Sequence, residues 1–340
     1  MKKVLIIAYY WPPAGGPGVQ RWVKFVKYLQ EFNVEPVVYV PKNPDYPILD
    51  KSLETEVPEN IRIIKKEIVE PYALAGILSK SETKTISSGI IKNEKEQSAL
   101  QKAMLYIRGN YFIPDARKFW IKPSVKFLSE LLKKESFDAI ITTGPPHSLH
   151  LIGLKLRKKF PIKWIADFRD PWTQIGYHSK LRLTETARQK HVGLEQEVLQ
   201  TADHIITTSF TTQKEFQAKT SKPVSVITNG FDEELEISEK PNKFRISHVG
   251  SLLSGRNPSQ LWKALEELIS ENKEFKSSLE ICLAGKISEE VLNNIYKFGL
   301  KEYVKLKGYI SHQTAIALQR NSAILLLVEI DSEETRGIIP

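Results

Sequence analysis

Short apolar runs of strand length alternate with segments of helical periodicity from one end of this chain to the other, and no other feature narrows the choice of folds as much. Strands are predicted near Lys3–Tyr9, Glu35–Val40, Ile61–Lys65, Ala139–Thr143, Lys163–Asp167, His204–Thr208 and Val224–Ile227. A second series is predicted at Arg245–Val249, Leu279–Ala284, Val304–Lys307 and Ala323–Val328. Between the two series, Thr228–Lys243 combines Asn229-Gly230 with Asp232, four glutamates and Pro241, which is linker chemistry. A chain of 340 residues exceeds what one core organises well, so two α/β domains are expected, residues 1–240 and 241–340.

The helix after the first strand shows the periodicity. Val19, Trp22, Val23, Val26 and Leu29 fall on one side, and Arg21, Lys24 and Lys27 are expected to point away. Residues 68–112 break the alternation with a Lys/Glu/Ser-rich stretch between Ser79 and Gln101, expected as a surface excursion.

Composition excludes several classes. Apolar residues make up 41% and charged residues 26%, the balance of a globular protein. The longest apolar runs, Val4–Trp11 and Ala323–Val328, fall far short of the roughly 18 to 20 residues a membrane helix needs. The lone Cys282 offers no disulfide framework, suits a reducing compartment, and is expected to be buried. The net charge is +9, and residues 101–200 alone hold 18 Lys and Arg against 9 Asp and Glu. That excess suits an anionic membrane surface or a phosphorylated acceptor; the plainer alternative is a solvated helix face. No nucleic-acid-binding module accompanies the charge, so nucleic acid is not expected as a partner.

Chemistry concentrates at strand ends. The first strand runs into Ala14-Gly15-Gly16-Pro17-Gly18 and then a helix, which brings backbone N–H groups to a helix N-terminus where an anion or polyol would sit. Arg21 stands where a dinucleotide fingerprint needs its third glycine, and a simple tight turn is the alternative. Thr142-Thr143-Gly144-Pro145-Pro146-His147-Ser148, Asp167-Phe168-Arg169-Asp170-Pro171-Trp172 and Asn229-Gly230-Phe231-Asp232 each follow a predicted strand, the edge where open parallel sheets bind ligands. His147 and His150 lie three apart without the further ligands a zinc site needs.

These segments, in this order, resemble glycosyltransferase family 4, the retaining enzymes with two Rossmann-like domains facing across a cleft, the GT-B fold. The resemblance covers essentially the whole chain and implies transfer of a sugar from a nucleotide sugar to a glycan or lipid-linked acceptor. It implies no metal and no cofactor, and no Asp-x-Asp motif of the metal-dependent single-domain enzymes appears. By resemblance Gly15, Gly16 and Gly18 face the donor phosphates and the acceptor, and Asp170 lies near the transferred sugar with Arg169 and His147 beside it. The alternative for Asp170 is an N-cap or a partner for Arg169.

In the second half, His248-Val249-Gly250-Ser251-Leu252-Leu253-Ser254-Gly255-Arg256-Asn257 resembles the segment in which the family holds the donor diphosphate with two cations. Ser251 stands at the first of those places and Arg256 at the second, so Arg256 is the expected phosphate ligand. Gly285, Tyr309 and Ile310 resemble loops around the nucleotide. The family's ribose-gripping acid follows a Pro-x-Lys segment whose start matches Thr335–Pro340, so the second domain is expected to be incomplete. A cytoplasmic enzyme of polysaccharide assembly, peripheral at the inner membrane face, is what the resemblance implies. A nucleotide-sugar 2-epimerase of the same fold and a basic nucleic-acid-binding protein are the alternatives.

Overall fold

The computed structural model describes residues 1–70, 98–175, 178, 181–231 and 243–330. The chain divides into two compact units, Met1–Gly230 and Phe231–Thr335. Asp232, the segment between Ser79 and Glu96, and Thr335–Pro340 lie outside the described residues.

The first unit is built on a seven-stranded sheet: β1 Lys2–Ile7, β2 Val34–Pro41, β3 Arg62–Lys66, β4 Ala139–Gly144, β5 Lys163–Phe168, β6 His204–Thr207 and β7 Val224–Val226. Its order is β3-β2-β1-β4-β5-β6-β7, and every pair is parallel. This is the doubly wound arrangement, in which the direction of winding reverses between β1 and β4. The period-2 geometry of β1 divides it between two cores: Val4, Ile6 and Ala8 pack with Val19, Trp22 and Val26 of the helix Pro17–Leu29, while Leu5, Ile7 and Tyr9 join Trp120, Leu128 and Ile152 on the other face.

The helix Pro17–Leu29 starts at Gly16, whose φ of 106° favours glycine, with Pro17 supplying a fixed φ in the first turn. Arg21 departs from the sequence expectation. It is buried, because its guanidinium donates to Asp167 Oδ1 at 2.9 Å and to the Thr228 carbonyl at 3.0 Å. Asp167, fully buried at the end of β5, also accepts from Trp22 Nε1 at 3.0 Å and Thr143 Oγ1 at 2.8 Å. The start of the helix, β4, β5 and the segment after β7 are thus fixed to one carboxylate. At the tail of the expected excursion, Ala99–Tyr111 is a helix with a capping box between Ser98 and Gln101.

The second unit repeats the plan with β8 Phe244–Val249, β9 Leu279–Ala284, β10 Val304–Gly308 and β11 Ile324–Leu325, ordered β10-β9-β8-β11 and parallel. Its core gathers Ile246, Trp262, Ile281 and Val291, and Cys282 is buried. The apolar run Ala323–Val328 yields a strand of only two residues, with Ile324 and Leu325 exposed.

Gly285 is dictated by backbone crowding. Its φ is 110°, and a Cβ there would lie 2.0 Å from the Gly250 carbonyl oxygen, which cannot yield as a side chain would. Gly285→Ala should therefore destabilise the second unit by about 2 kcal/mol or more through strain and clash. Urea unfolding followed by circular dichroism measures this, and a loss within noise would refute the crowding.

Candidate functional site

In a doubly wound sheet the crevice opens at the carboxyl ends of the two strands flanking the reversal. In the first unit those are β1 and β4, and the loops that follow them are the glycine segment and Gly144–His147. β5 is the next strand out, and it delivers Arg169 and Asp170 to the same edge.

The structure brings Gly18 and Arg169 together. A Cβ on Gly18 would fall 1.4 Å from Arg169 Nη1, so the guanidinium lies directly over the first helical turn. Arg169 Nη2 donates to the Pro145 carbonyl, its own N–H donates to the Gly144 carbonyl at 2.9 Å, and its carbonyl accepts from Thr208 Oγ1 at 2.7 Å. A fixed cation thus stands beside the positive end of a thirteen-residue helix, which is a setting for an anion. The three glycines differ in role. The Gly15 N–H is already donated to the Ile48 carbonyl at 3.0 Å, so it is not available to a ligand. Gly16 has open space where a Cβ would stand, and its N–H and that of Gly18 meet no acceptor among the described residues.

Asp170 is half-buried and makes no hydrogen bond or ion pair with any described residue. Among the described residues no helix begins there, and Arg169 donates to the Pro145 carbonyl rather than to Asp170. Burial pushes its carboxyl up, partly offset by the nearby Arg169 charge. His147 is buried, stacked on Trp172 with ring centroids 4.8 Å apart, and burial with the cations around it holds its ring well below the ordinary histidine range. His150 bonds Thr142 Oγ1 at 2.9 Å through Nδ1, and burial depresses it to about 3. No cluster of ligands able to hold a metal occurs among the described residues.

Two supporting networks escaped the sequence reading. Arg21 and Asp167 form the first. In the second, Tyr9 OH donates to Glu70 at 2.6 Å, Arg117 pairs with Glu70 at 3.0 Å and donates to Tyr9 OH at 3.0 Å, and Glu70 accepts from the Asp45 N–H at 2.6 Å. The available signal was a charged residue inside or beside an apolar strand, which demands a buried partner.

In the second unit the winding reverses between β8 and β11. Arg256 follows β8 and Glu329 follows β11; they join in a two-pronged ion pair with both contacts at 2.8 Å. Arg256 therefore occupies the crevice position with its fork already held by a carboxylate. Gly250, Gly285 and Gly308 stack along this edge through Gly250 N–H to Ala284 and Gly285 N–H to Gly308 carbonyl bonds of 2.9 and 2.7 Å. Tyr309 follows and is 55% exposed, while Ile310 is half-buried just before the N-cap Ser311.

Residues 92–235 match the sequence profile of Glycosyltransferase Family 4. Sucrose-phosphate synthase from Thermosynechococcus elongatus is similar over 96% of this chain and 75% of that one, at 12% identity and a TM-score of 0.57. Trehalose-6-phosphate synthase OtsA matches over 96% and 78%, at 10% identity and a TM-score of 0.57. Anabaena HepE, solved in complex with UDP and glucose, matches over 96% and 73%, at 16% identity and a TM-score of 0.51. At these identities the likeness is one of fold, and the fold is that of the GT-B glycosyltransferases. No curated protein matches the chain.

Proposed function

We propose that this chain, whose residues 92–235 carry the pattern of glycosyltransferase family 4, transfers a sugar from a nucleotide sugar to a glycan or lipid-linked acceptor with retention of anomeric configuration. The observation that carries the reading is a pair of Rossmann-type reversals, each with an arginine at its crevice: Arg169 over a helix N-terminus in one unit, Arg256 after β8 in the other. HepE, of the same fold, holds UDP and glucose, which supports a uridine nucleotide as the first donor to test.

In this reading Arg256 exchanges Glu329 for a donor phosphate and stabilises charge that grows on the leaving diphosphate. Gly16, Gly18 and Arg169 receive an anionic group at the helix start. Asp170, unpaired and raised by burial, sits near the transferred sugar and takes up or orients a proton there. Gly250, Gly285, Tyr309 and Ile310 shape the nucleotide's seat. Neither a metal nor a cofactor enters this scheme. Among the described residues no helix is long and apolar enough to cross a membrane. The basic excess in residues 101–200 supports attraction to an anionic membrane surface, the setting of polysaccharide assembly at the cytoplasmic face.

Arg256→Ala should weaken UDP binding about ten- to hundredfold, the worth of one charge-assisted bond, about 1.5–3 kcal/mol. Calorimetry reads that change, and unaltered affinity would remove Arg256 from the donor site. Asp170→Asn should leave UDP binding and the melting temperature unchanged and lower turnover about a hundredfold or more. Incubating donor without acceptor provides the decisive control: conversion of the sugar to its epimer there would replace transfer with epimerisation.

A further inference from the structure

The helix Ala99–Tyr111 is apolar on two opposite faces, and among the described residues only one of them is covered. Its inner face carries Leu105 and Gly109, both buried, against Leu181 and Leu183. A Cβ on Gly109 would lie 2.6 Å from the Leu181 carbonyl oxygen, so the helix is seated by close backbone approach. Asn110 fastens the same end, donating to the Arg182 carbonyl at 3.1 Å and accepting from the Thr184 N–H and Oγ1, each at 2.8 Å. The body therefore holds this helix without using its outer face. On that face Leu100, Ala103, Ile107 and Tyr111 follow one another at spacings of three, four and four, which makes one stripe about half a turn round from Leu105 and Gly109. Leu100 is 55%, Ile107 47% and Tyr111 65% exposed, against 1% for Leu105. Exposed Phe119 carries the stripe onto the helix Lys118–Lys134, because Lys118 Nζ donates to the Tyr111 carbonyl and lies 5.3 Å from the Phe119 ring centroid.

Contiguous exposed apolar surface marks a partner, and the charge around it identifies which. From Ser98 to Ser129 the chain carries six Lys and Arg and one acid, Asp115. Asp115 accepts from Ser148 N–H at 2.9 Å and Ser148 Oγ at 2.7 Å, and Arg117 is buried against Glu70, so both are engaged within the unit. The other five, Lys102, Arg108, Lys118, Lys122 and Lys126, are half-buried or exposed. A second copy docked by two-fold symmetry would set these cations against themselves. An anionic bilayer supplies both an apolar layer for the stripe and phosphates for its cations. The bonds from Ser148 to Asp115 also tie the loop after this helix to the first turn of the helix Ser148–Lys159, so the stripe adjoins the edge where the crevice of the first unit opens.

We propose that the stripe Leu100, Ala103, Ile107 and Tyr111, with Phe119, inserts into the headgroup layer of an anionic phospholipid bilayer and sets the crevice edge of the first unit against it. What the crevice takes from that surface rests on the glycosyltransfer reading; the lipid binding does not.

The test is flotation of the full chain with vesicles of phosphatidylcholine alone and with vesicles that hold about 30% phosphatidylglycerol. Binding should favour the anionic vesicles by about tenfold or more and weaken as salt rises from about 0.1 M to about 0.5 M. Leu100→Gln/Ile107→Gln keeps the charge and the helix propensity, so it should weaken anionic-vesicle binding about tenfold with the melting temperature unchanged. Ala103→Trp adds an interfacial side chain to the same stripe and should tighten binding about threefold or more. Equal binding to both kinds of vesicle would overturn the proposal, and so would anionic binding that neither variant alters, since that leaves only diffuse attraction of charge. A glutamine variant that melts earlier would show the stripe packed within the chain, and a dimer in sedimentation that this variant disperses would show it seated on a second copy; either result defeats the membrane face. UDP calorimetry in parallel separates the two ideas. UDP bound by a chain indifferent to anionic vesicles defeats the membrane face alone, whereas stripe-dependent vesicle binding in a chain that binds no nucleotide keeps the face and defeats the transferase reading.

Discussion

Asp167→Ala should lower the stability of the Met1–Gly230 unit by about 3–5 kcal/mol, the usual consequence of leaving one member of a buried ion pair alone. Asp167 and Arg21 have side-chain exposures of 0% and 1%, so water cannot replace the lost partner. Removing the carboxylate also strands the Trp22 Nε1 and Thr143 Oγ1 donors. Arg21→Ala should fall in the same range, because the carboxylate then remains buried with only neutral donors. The double variant Asp167→Leu/Arg21→Met should cost less than the two single losses added together, since it removes both charges and restores apolar volume. Urea unfolding of the full chain, read by tryptophan fluorescence, measures all three. A cost below about 1 kcal/mol for each single variant would show that the pair does not organise the crevice.

That pair also marks where sequence reasoning stops. The strands were legible because each is an apolar run of four to eight residues closed by turn chemistry, and ten of the eleven differ from their predicted spans by two residues at most at either end. β11 is shorter than its run because apolar composition alone cannot say whether a neighbouring strand continues the ladder. Arg21 was placed on the outer face because helical periodicity treats charge as a marker of solvent. Its partner lies 146 residues further on, and no local pattern encodes a contact of that separation. The motif Asp167-Phe168-Arg169-Asp170 was recognised, but its two acids divide their work by strand geometry: Asp167 ends β5 inside the protein, and Asp170 lies beyond the strand with its carboxylate unpaired. The glycine loop was visible as composition. Only coordinates show that Gly15 has given its N–H to Ile48, that Gly16 needs its φ, and that Gly18 makes room for Arg169.

Acid should unfold the first unit well before its carboxylates are exhausted. Burial depresses His150 to about 3 and His178 to about 4, with Arg169 adding to the effect at His150 and His191 and Arg188 at His178. His147 and His191 are lowered as well, chiefly by burial. Above the ordinary histidine pKa of about 6.5 both folded and unfolded chains carry these rings uncharged, so pH has little effect through them. Below about 6.5 the unfolded chain takes up protons that the folded chain refuses, and stability falls with slope set by that difference. For a ring still neutral at about pH 4.5 the loss is about 2.7 kcal/mol, so His150 and His178 together remove on the order of 5 kcal/mol, comparable to a whole domain's margin. The upward shifts of Asp170 and Glu215 work in the opposite sense, because the folded chain then binds protons more readily there, but they are two groups against four. Glu280, held near 2 by Lys305 and Arg245, keeps its charge throughout this window, and the second unit carries a single ring lowered by burial, His248. Two transitions should therefore separate in urea as pH drops from about 7 to about 4.5, with the first unit moving further to lower denaturant than the second. His178→Leu should flatten the dependence by roughly the share of one ring, about 2 to 3 kcal/mol across the window. Equal pH dependence in that variant and the parent would mean that the buried imidazoles are already protonated or water-linked.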